Sequence, residues 1–373
     1  MERKPIHVSY LTQVPGPYRE RMHELVSEFG DFSYDVIYCA KVEPNRKWKL
    51  SYGDYPMYFL AEKAETFRHN NLNVWALLNK LNPTILIITA FKPTMLYGVI
   101  WCLLRGRKII VYNDGTYDSE QHLSFTQKLI RKLVYKVTSA FMAPGKGTVD
   151  LYKSYGVADK KIFKSCLCVD NTQFDYQPIQ ERPYHILYCG QITERKLPFL
   201  FTDVAIKLNK EIPNFKALIV GDGALKDEML LRLDKNNVEY HFAGFLDQQS
   251  LLAYYAKAKV FLFTTIDDVW GIVANEACAS GTPVVTSKEA GVAGDLILDG
   301  ENGYVLPLDA NIWASKIKAL LENEAQLNSF SEKAMEIVKP FNHEQAADGL
   351  RQAVQFTQPA TKNKPAFTPL NIL

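Results

Sequence analysis

Short, almost unbroken apolar runs alternate with longer amphipathic stretches along this chain, and they do so twice. In the first half "IHVSYL", "YDVIYCA", "TILIITA", "KIIVYND", "AFMAPG" and "IFKSCLCVD" read as strands, with helix-like segments such as 18–30 and 125–138 between them. Strands that are apolar throughout, rather than alternately, are buried on both faces. Separated by helices, they predict a parallel sheet covered on each side. The pattern breaks at 171–184, "NTQFDYQPIQERPY", whose polar, aromatic and Pro-bearing character reads as an interdomain linker. It then restarts with "YHILYCG", "FKALIVGDG", "VEYHFAGF", "KVFLFTT" and "TPVVTS". The expectation is an α/β chain of two Rossmann-like, doubly wound parallel-sheet domains, 1–172 and 184–342. Such sheets bind ligands beyond the carboxyl ends of their strands, so two of them facing each other make a cleft. The segment 343–373 starts as a helix, "HEQAADGLRQAVQF", and ends in a Pro- and Lys-containing tail; it is expected to cross back onto the first domain.

Composition narrows the function. A length of 373 residues suits two domains, and a net charge of +2 is too small to imply nucleic acid as partner. The six cysteines form no C-x-x-C pair and several lie in strand-like runs, which suits a reducing cytosol. "MERKPIHVSYL" carries no secretory pattern. "PTMLYGVIWCLLRG" is too short to span a bilayer and reads as a buried helix. No G-x-G-x-x-G follows a first strand and no G-x-x-x-x-G-K-[ST] occurs, so a nicotinamide cofactor and a P-loop are not expected. The seven histidines show no ligand spacing and D-x-D is lacking, so neither metal nor cofactor is expected.

Three stretches carry chemistry. "DDVWGIVANEACASGTPVV" (267–285) puts Asp268 in a strand-to-helix loop and Glu276 in the second turn of an otherwise apolar helix. The amides of Gly271, Ile272 and Val273 are first-turn donors without intrahelical partners, suited to phosphate oxygens or sugar hydroxyls. The competing reading makes an aspartate the helix cap and leaves Glu276 in solvent; an unpaired buried carboxylate is costly, which favours a ligand. "YCGQITERKLP" sets Arg195 and Lys196 between a strand end at Gly190 and a helix start, an anion site in outline or a solvated charge pair. In "LIVGDG", Gly221 and Gly223 end a strand, where they admit a ligand to the backbone or simply form a tight turn. In the first domain, Gly16 of "VPGPY" can admit a ligand or simply form a turn. Asp114 of "YNDGTYDSEQH" can orient or deprotonate a substrate hydroxyl, unless Asn113, Asp114 and Gly115 only form a turn. His122 reads as structural.

In series, these segments resemble glycosyltransferase family 4, the retaining nucleotide-sugar enzymes of GT-B fold. "CGQITERK" is similar to that family's G-R-L-x-x-x-K segment, "VGDG" to its G-x-G loop, "DDVWGIVANEACASGTPVV" to its E-x7-E signature and "DGENGYVLPLD" to its D-G-x-N-G tail. Two positions depart from the pattern: Asp268 stands for the first glutamate and Gln191 for the arginine. The resemblance implies a metal-independent transferase moving a sugar from a UDP- or GDP-sugar to a glycan or lipid-linked acceptor. It implies that Glu276 takes the ribose hydroxyls and that Asp268, with the amides of Gly271 to Val273, takes the donor sugar. Lys196 and Arg195 would neutralise the departing diphosphate, near Gly190, Gln191, Gly221 and Gly223. The alternative, suggested by Gln191, is an inactive GT-B scaffold or nucleotide-sugar-binding partner.

The segment 125–138, "FTQKLIRKLVYKVT", is basic and amphipathic. It reads as an ordinary sheet-covering helix with a solvated basic face, or as a peripheral contact with anionic lipid at the inner face of a membrane.

Overall fold

The computed structural model describes residues 6–43, 52–64 and 66–358. The first domain contains β1 (His7–Thr12), α1 (Pro17–Glu28), β2 (Ser33–Tyr38), β3 (Met57–Phe59), α2 (Val74–Leu81), β4 (Ile85–Ile88), α3 (Pro93–Arg105), β5 (Lys108–Tyr112), α4 (Phe125–Val137), β6 (Ala140–Ala143), α5 (Lys146–Ser154) and β7 (Ile162–Lys164). The second contains β8 (Tyr184–Cys189), α6 (Pro198–Glu211), β9 (Lys216–Val220), α7 (Lys226–Lys235), β10 (Glu239–Gly244), α8 (Gln248–Tyr255), β11 (Ala258–Phe263), α9 (Ile272–Ala279), β12 (Val284–Ser287), β13 (Gly303–Leu306), α10 (Ala310–Glu322) and α11 (Glu324–Ile337); α12 (His343–Phe356) follows. The sheets run β3-β2-β1-β4-β5-β6-β7 and β10-β9-β8-β11-β12-β13, and every pairing is parallel. Strand order reverses between β1 and β4 in one sheet and between β8 and β11 in the other. Loops part at these points, so a ligand can enter there.

The apolar runs become central strands because both faces are covered: Ile85, Leu86, Ile87 and Ile88 are at most 3% exposed. One apolar cluster fills the outer side of the first sheet, under α2, α3 and α4. Another lies between the second sheet and α6, α7 and α10. The third runs from the inner side of the first sheet through α12 into the second domain. Helix α12 packs on α1, β6 and β7. A Cβ on Gly349 would meet the Lys164 carbonyl oxygen at 1.8 Å, so glycine is what lets the helix lie on that backbone. Ser165 Oγ donates to the Ala346 carbonyl (2.8 Å), and Arg351 pairs with Asp31 (2.6 Å). Residues 359–373 of the expected C-terminal segment lie outside the described residues.

Several expectations need correction. The run "IFKSCLCVD" pairs only over Ile162–Lys164: β7 is an edge strand, and the chain then leaves the sheet beneath α12. Strands β3 and β13 had no apolar run long enough to announce them. Helix α3 is not a buried helix; Ile100, Leu103 and Leu104 are exposed. The stretch 171–184 is not a solvated tether. Arg182 is 2% exposed, and its guanidinium donates to the carbonyls of Gln177, Ala258, Ser280 and Gly281 and to Thr282 Oγ1, riveting the stretch to the second domain.

Candidate active site

The loops after β8 and β11 meet at the switch point of the second sheet. Their backbones are zipped together: the Ile266 amide donates to the Arg195 carbonyl (3.1 Å) and Thr264 Oγ1 to the Lys196 carbonyl (2.7 Å). The side chains follow. Lys196 Nζ pairs directly with Asp268 Oδ2, and Arg195 Nη1 reaches that oxygen at 3.5 Å and the Asp267 carbonyl at 2.6 Å. Lys196 is 9% exposed and lies 4.5 Å from the Phe263 ring centroid. Burial pulls its ammonium below the ordinary lysine range, and Asp268 opposes that pull. Asp268 Oδ1 accepts from the Trp270 amide at 3.2 Å. The two cations and the first acid of the signature are therefore one cluster, not three separate groups.

Neither aspartate caps the next helix. The N-cap of α9 is Gly271, at φ +109°, where a Cβ would also meet the Phe263 ring at 2.4 Å. Among the described residues, the amides of Gly271, Ile272 and Val273 donate to no backbone or side-chain acceptor. They are free donors beside the Asp268 cluster.

Glu276 is not in solvent. It is 5% exposed, with Cys189 of β8 and Tyr255 of α8 on its far side. Tyr255 Oη donates to Glu276 Oε2 at 2.5 Å, and Cys189 Sγ lies 3.3 Å from the same hydroxyl. Among the described residues no other group donates to the Glu276 carboxylate. Burial pushes its carboxyl up to about 7, with the Tyr255 bond acting against the rise. Burial also pushes the Cys189 thiol up to about 12, so the sulfur is the neutral end of this chain. Tyr255 went unnoticed in the sequence. The signal was indirect: a carboxylate among apolar neighbours requires a donor, but nothing says from where.

The glycines separate into two kinds. A Cβ on Gly221 would meet the Gly190 carbonyl oxygen at 1.9 Å, and one on Gly223 the Ile192 carbonyl oxygen at 2.3 Å. Both are used by the protein to pack one loop on another. Gly190, at φ +148°, has nothing within 4 Å of its Cβ position, and Gln191 beside it is exposed. Those two face open space.

In the first domain, Asp114 is held by a residue that sequence reasoning missed. Arg19 of α1 reaches both its oxygens through Nη2, at 2.9 and 3.0 Å. Arg19 is 8% exposed, donates to Tyr10 Oη (2.7 Å) and stacks 4.5 Å from the Tyr112 ring centroid. Asn113 Oδ1 accepts from the Gly115 amide (3.2 Å), so the turn reading holds for Asn113, while Asp114 points to Arg19. Gly16 is the N-cap of α1 in extended backbone, packed against its neighbour Tyr18. His122 is exposed. Two contacts join the domains near the signature: the Lys146 amide donates to Asp295 Oδ2, and Lys164 pairs with Asp295 Oδ1 at 3.3 Å. Trp270 lies against Gly145 on one side and Phe341 on the other.

Comparison with known proteins agrees with this geometry. Residues 169–337 match the family model described as glycosyl transferases group 1. The chain is 24% identical over 257 residues to the N-acetylgalactosamine-N,N'-diacetylbacillosaminyl-diphospho-undecaprenol 4-alpha-N-acetylgalactosaminyltransferase of Campylobacter jejuni, covering 66% of this chain and 70% of that one. It is 25% identical over 199 residues to another C. jejuni protein, the GalNAc-alpha-(1->4)-GalNAc-alpha-(1->3)-diNAcBac-PP-undecaprenol alpha-1,4-N-acetyl-D-galactosaminyltransferase, covering 53% of this chain and 54% of that one. The chain thus spans about half the length of this second relative. Among solved structures, HepE of Anabaena in complex with UDP aligns with a TM-score of 0.75 at 15% identity, over 94% of this chain and 100% of that one. That likeness establishes the fold, GT-B, with its two domains facing across a cleft. The part of the chain that matches the group 1 glycosyl transferases, residues 169–337, is the part that gathers the signature acids, the lysine and the free helix amides at one switch point.

Proposed function

We propose that the protein is a retaining glycosyltransferase that moves a sugar from a UDP- or GDP-sugar to a hydroxyl of a glycan or lipid-linked acceptor, without a metal ion. The observation that carries this reading is the Lys196–Asp268–Arg195 cluster beside the free amides of α9. A glycosyl donor leaves as a nucleoside diphosphate, and negative charge grows on its oxygens as the bond breaks. A fixed, partly desolvated cation at that place lowers the barrier without reorganising. Lys196 meets this need, with Arg195 in the more open position beside it. Asp268 keeps Lys196 charged and aimed while the site is empty. It then shares its oxygens with hydroxyls of the donor sugar, together with the amides of Gly271 to Val273. Glu276, with only one oxygen engaged by Tyr255, offers the other to the ribose hydroxyls.

For retention, the acceptor attacks from the face the diphosphate leaves, and the departing phosphate takes the acceptor proton. Asp114, clamped by Arg19, is a positioning group on the acceptor side in this reading. The Campylobacter relatives are named for undecaprenol-linked substrates, and HepE was solved with UDP. Both support a UDP-sugar donor and a lipid-linked acceptor here. We place the enzyme in the cytoplasm, at the inner face of a membrane when the acceptor is lipid-linked. Its six cysteines are all free and buried, as a reducing compartment allows.

The test is calorimetric titration with UDP, GDP and ADP in the presence of EDTA, followed by transfer assays with the matching sugar nucleotides. Binding of one nucleotide that survives EDTA and is lost in Glu276→Ala is the expected result. Binding that appears only when a divalent ion is restored overturns the metal-free reading.

A further inference from the structure

Helices α3 and α4 bury one face each in the same apolar cluster: Met95, Val99 and Cys102 from α3, Val134 and Tyr135 from α4. Strands β4, β5 and β6 are neighbours in the sheet, and right-handed crossovers put both connecting helices on one side of it. Phe91, which leads into α3, makes an edge contact with Tyr135 of α4 (5.7 Å between centroids). Their other faces therefore look outward together.

Those outward faces are apolar. Along α4, Phe125, Leu129, Leu133 and Val137 recur every fourth residue, and all are exposed, Phe125 to 79%. On α3, Ile100, Leu103 and Leu104 are exposed, Leu104 to 70%. A helix that merely covers a sheet has a polar outer face, so this one departs from the ordinary pattern. The charged residues on this face are all cations: Lys132 and Lys136 are exposed on α4, with Arg105 at the end of α3 and Lys108 after it, and the exposed Thr126 and Gln127 of the first turn of α4 are neutral. Neither helix contains an aspartate or a glutamate. Arg131 is not part of this surface, being paired with Glu120 at 2.7 Å. Beside it, α4 and α5 enclose an open groove of about 460 Å³ with Phe125 and Leu129 on its wall and Lys128 and Lys132 also lining it.

We propose that the combined outer face of α3 and α4 seats this protein on an anionic lipid bilayer. Lysines interleaved with exposed Leu and Phe suit a membrane interface, where the stems lie among acyl chains and the ammonium groups reach headgroup phosphates. Lysine is depleted from the centres of protein–protein interfaces, which argues against a protein partner as the occupant. No helix among the described residues is long and apolar enough to cross a membrane, so the contact is a peripheral one. The start of α4 follows the loop that bears Asp114, so a membrane at this face lies on the acceptor side of the cleft. The proposal stands apart from the identity of donor and acceptor.

The test is flotation of the full chain with vesicles of phosphatidylcholine alone and vesicles containing about a third phosphatidylglycerol. The expected result is flotation with the anionic vesicles, weakened by salt. The double variant Phe125→Glu/Leu133→Glu, and separately Leu104→Glu, should lower the bound fraction about tenfold. Lys132→Gln/Lys136→Gln should remove the preference for anionic over neutral vesicles. Nucleotide titration and melting temperature are read on each variant to show that it is folded; these side chains are exposed and far from the donor cluster. Absence of flotation with anionic vesicles overturns the proposal. So does a wild-type dimer on size-exclusion chromatography that the same glutamate substitutions convert to monomer, because the face is then covered by a second copy. Vesicle binding is read without donor or acceptor, so its failure leaves the transferase reading untouched.

Discussion

Asp268 and Glu276 stand eight residues apart in one signature, yet the protein treats them in opposite ways. Asp268 is met by two cations and a backbone amide. Glu276 is buried more deeply and receives one hydroxyl, from Tyr255. One carboxylate is surrounded by partners; the other is pushed by burial towards its neutral form. The difference follows from where each sits. Asp268 is in a loop at the switch point, where side chains from two strand ends converge. Glu276 is on a helix face walled by Ala, Cys and Tyr, where only a ligand can bring further donors. A loop site can be satisfied by the protein alone, whereas the helix site is left incomplete at a cost in stability, which is what the proposed role in ribose recognition would require.

The largest effect should come from the paired site. Replacing Lys196 by Ala removes the cation that the proposed mechanism sets against the leaving group and strands Asp268 without its close partner. Turnover should fall about 100- to 1,000-fold, with a smaller change in nucleotide affinity. Breaking a buried pair also costs about 3 kcal/mol of stability, so a lowered melting temperature should accompany the loss. If kcat barely changes while KM rises alone, Lys196 binds ground state and transition state equally and the leaving-group role is wrong.

Next comes Glu276→Gln, and here the comparison predicts opposite signs. Nucleotide affinity should drop about 100-fold, because two charge-assisted hydrogen bonds to ribose are weakened or misdirected. Stability above neutral pH should rise, because the uncompensated charge is gone. Calorimetry and thermal melts on one preparation measure both. A variant that loses affinity and stability together would make Glu276 a structural residue.

These contrasts were only partly legible in the sequence. The strands of both sheets were, because burial on two faces leaves runs such as Ile85–Ile88 without a polar residue. The loop carrying Arg195 and Lys196 was, because it follows such a run directly. Short edge strands were not: β3 has three residues, too few for a periodicity. Tyr255 meets Glu276 across 21 residues, and Arg19 meets Asp114 across 95. Tertiary contacts of that span leave no local pattern. The glycines are a different case. Gly221 and Gly223 end a strand as ligand-binding glycines do, but the neighbour their missing side chains admit is the protein's own backbone.

The pH dependence sharpens the comparison further. The carboxyl of Glu276 lies at about 7 against an ordinary 4.5. Below about pH 4.5 it is protonated in both folded and unfolded chains and makes no difference. Between 4.5 and 7 only the unfolded chain ionises it, so stability falls as pH rises, by about 1.4 kcal/mol per unit and about 3 kcal/mol in all. Above 7 the loss is constant. Nucleotide binding should run the other way, since ribose hydroxyls need the ionised form. Affinity should decline below pH 7, by up to about tenfold per unit, and Glu276→Gln should flatten the profile. A wild-type profile as flat as the variant's would break the assignment.

The smallest effect, and the most selective, is expected at Tyr255. Its hydroxyl lowers the carboxyl of Glu276 against the pull of burial. Tyr255→Phe keeps the ring and removes that one donor, which at a charged acceptor is worth about 1.5 to 3 kcal/mol. The carboxyl then titrates higher, and the midpoint of nucleotide binding moves up by about one pH unit. At pH 7 the variant should bind several-fold more weakly than wild type, and at pH 9 the two should converge. A purely structural loss would weaken binding equally at every pH, so the convergence, read by titration across the range, is what separates a positioning hydroxyl from a packing ring.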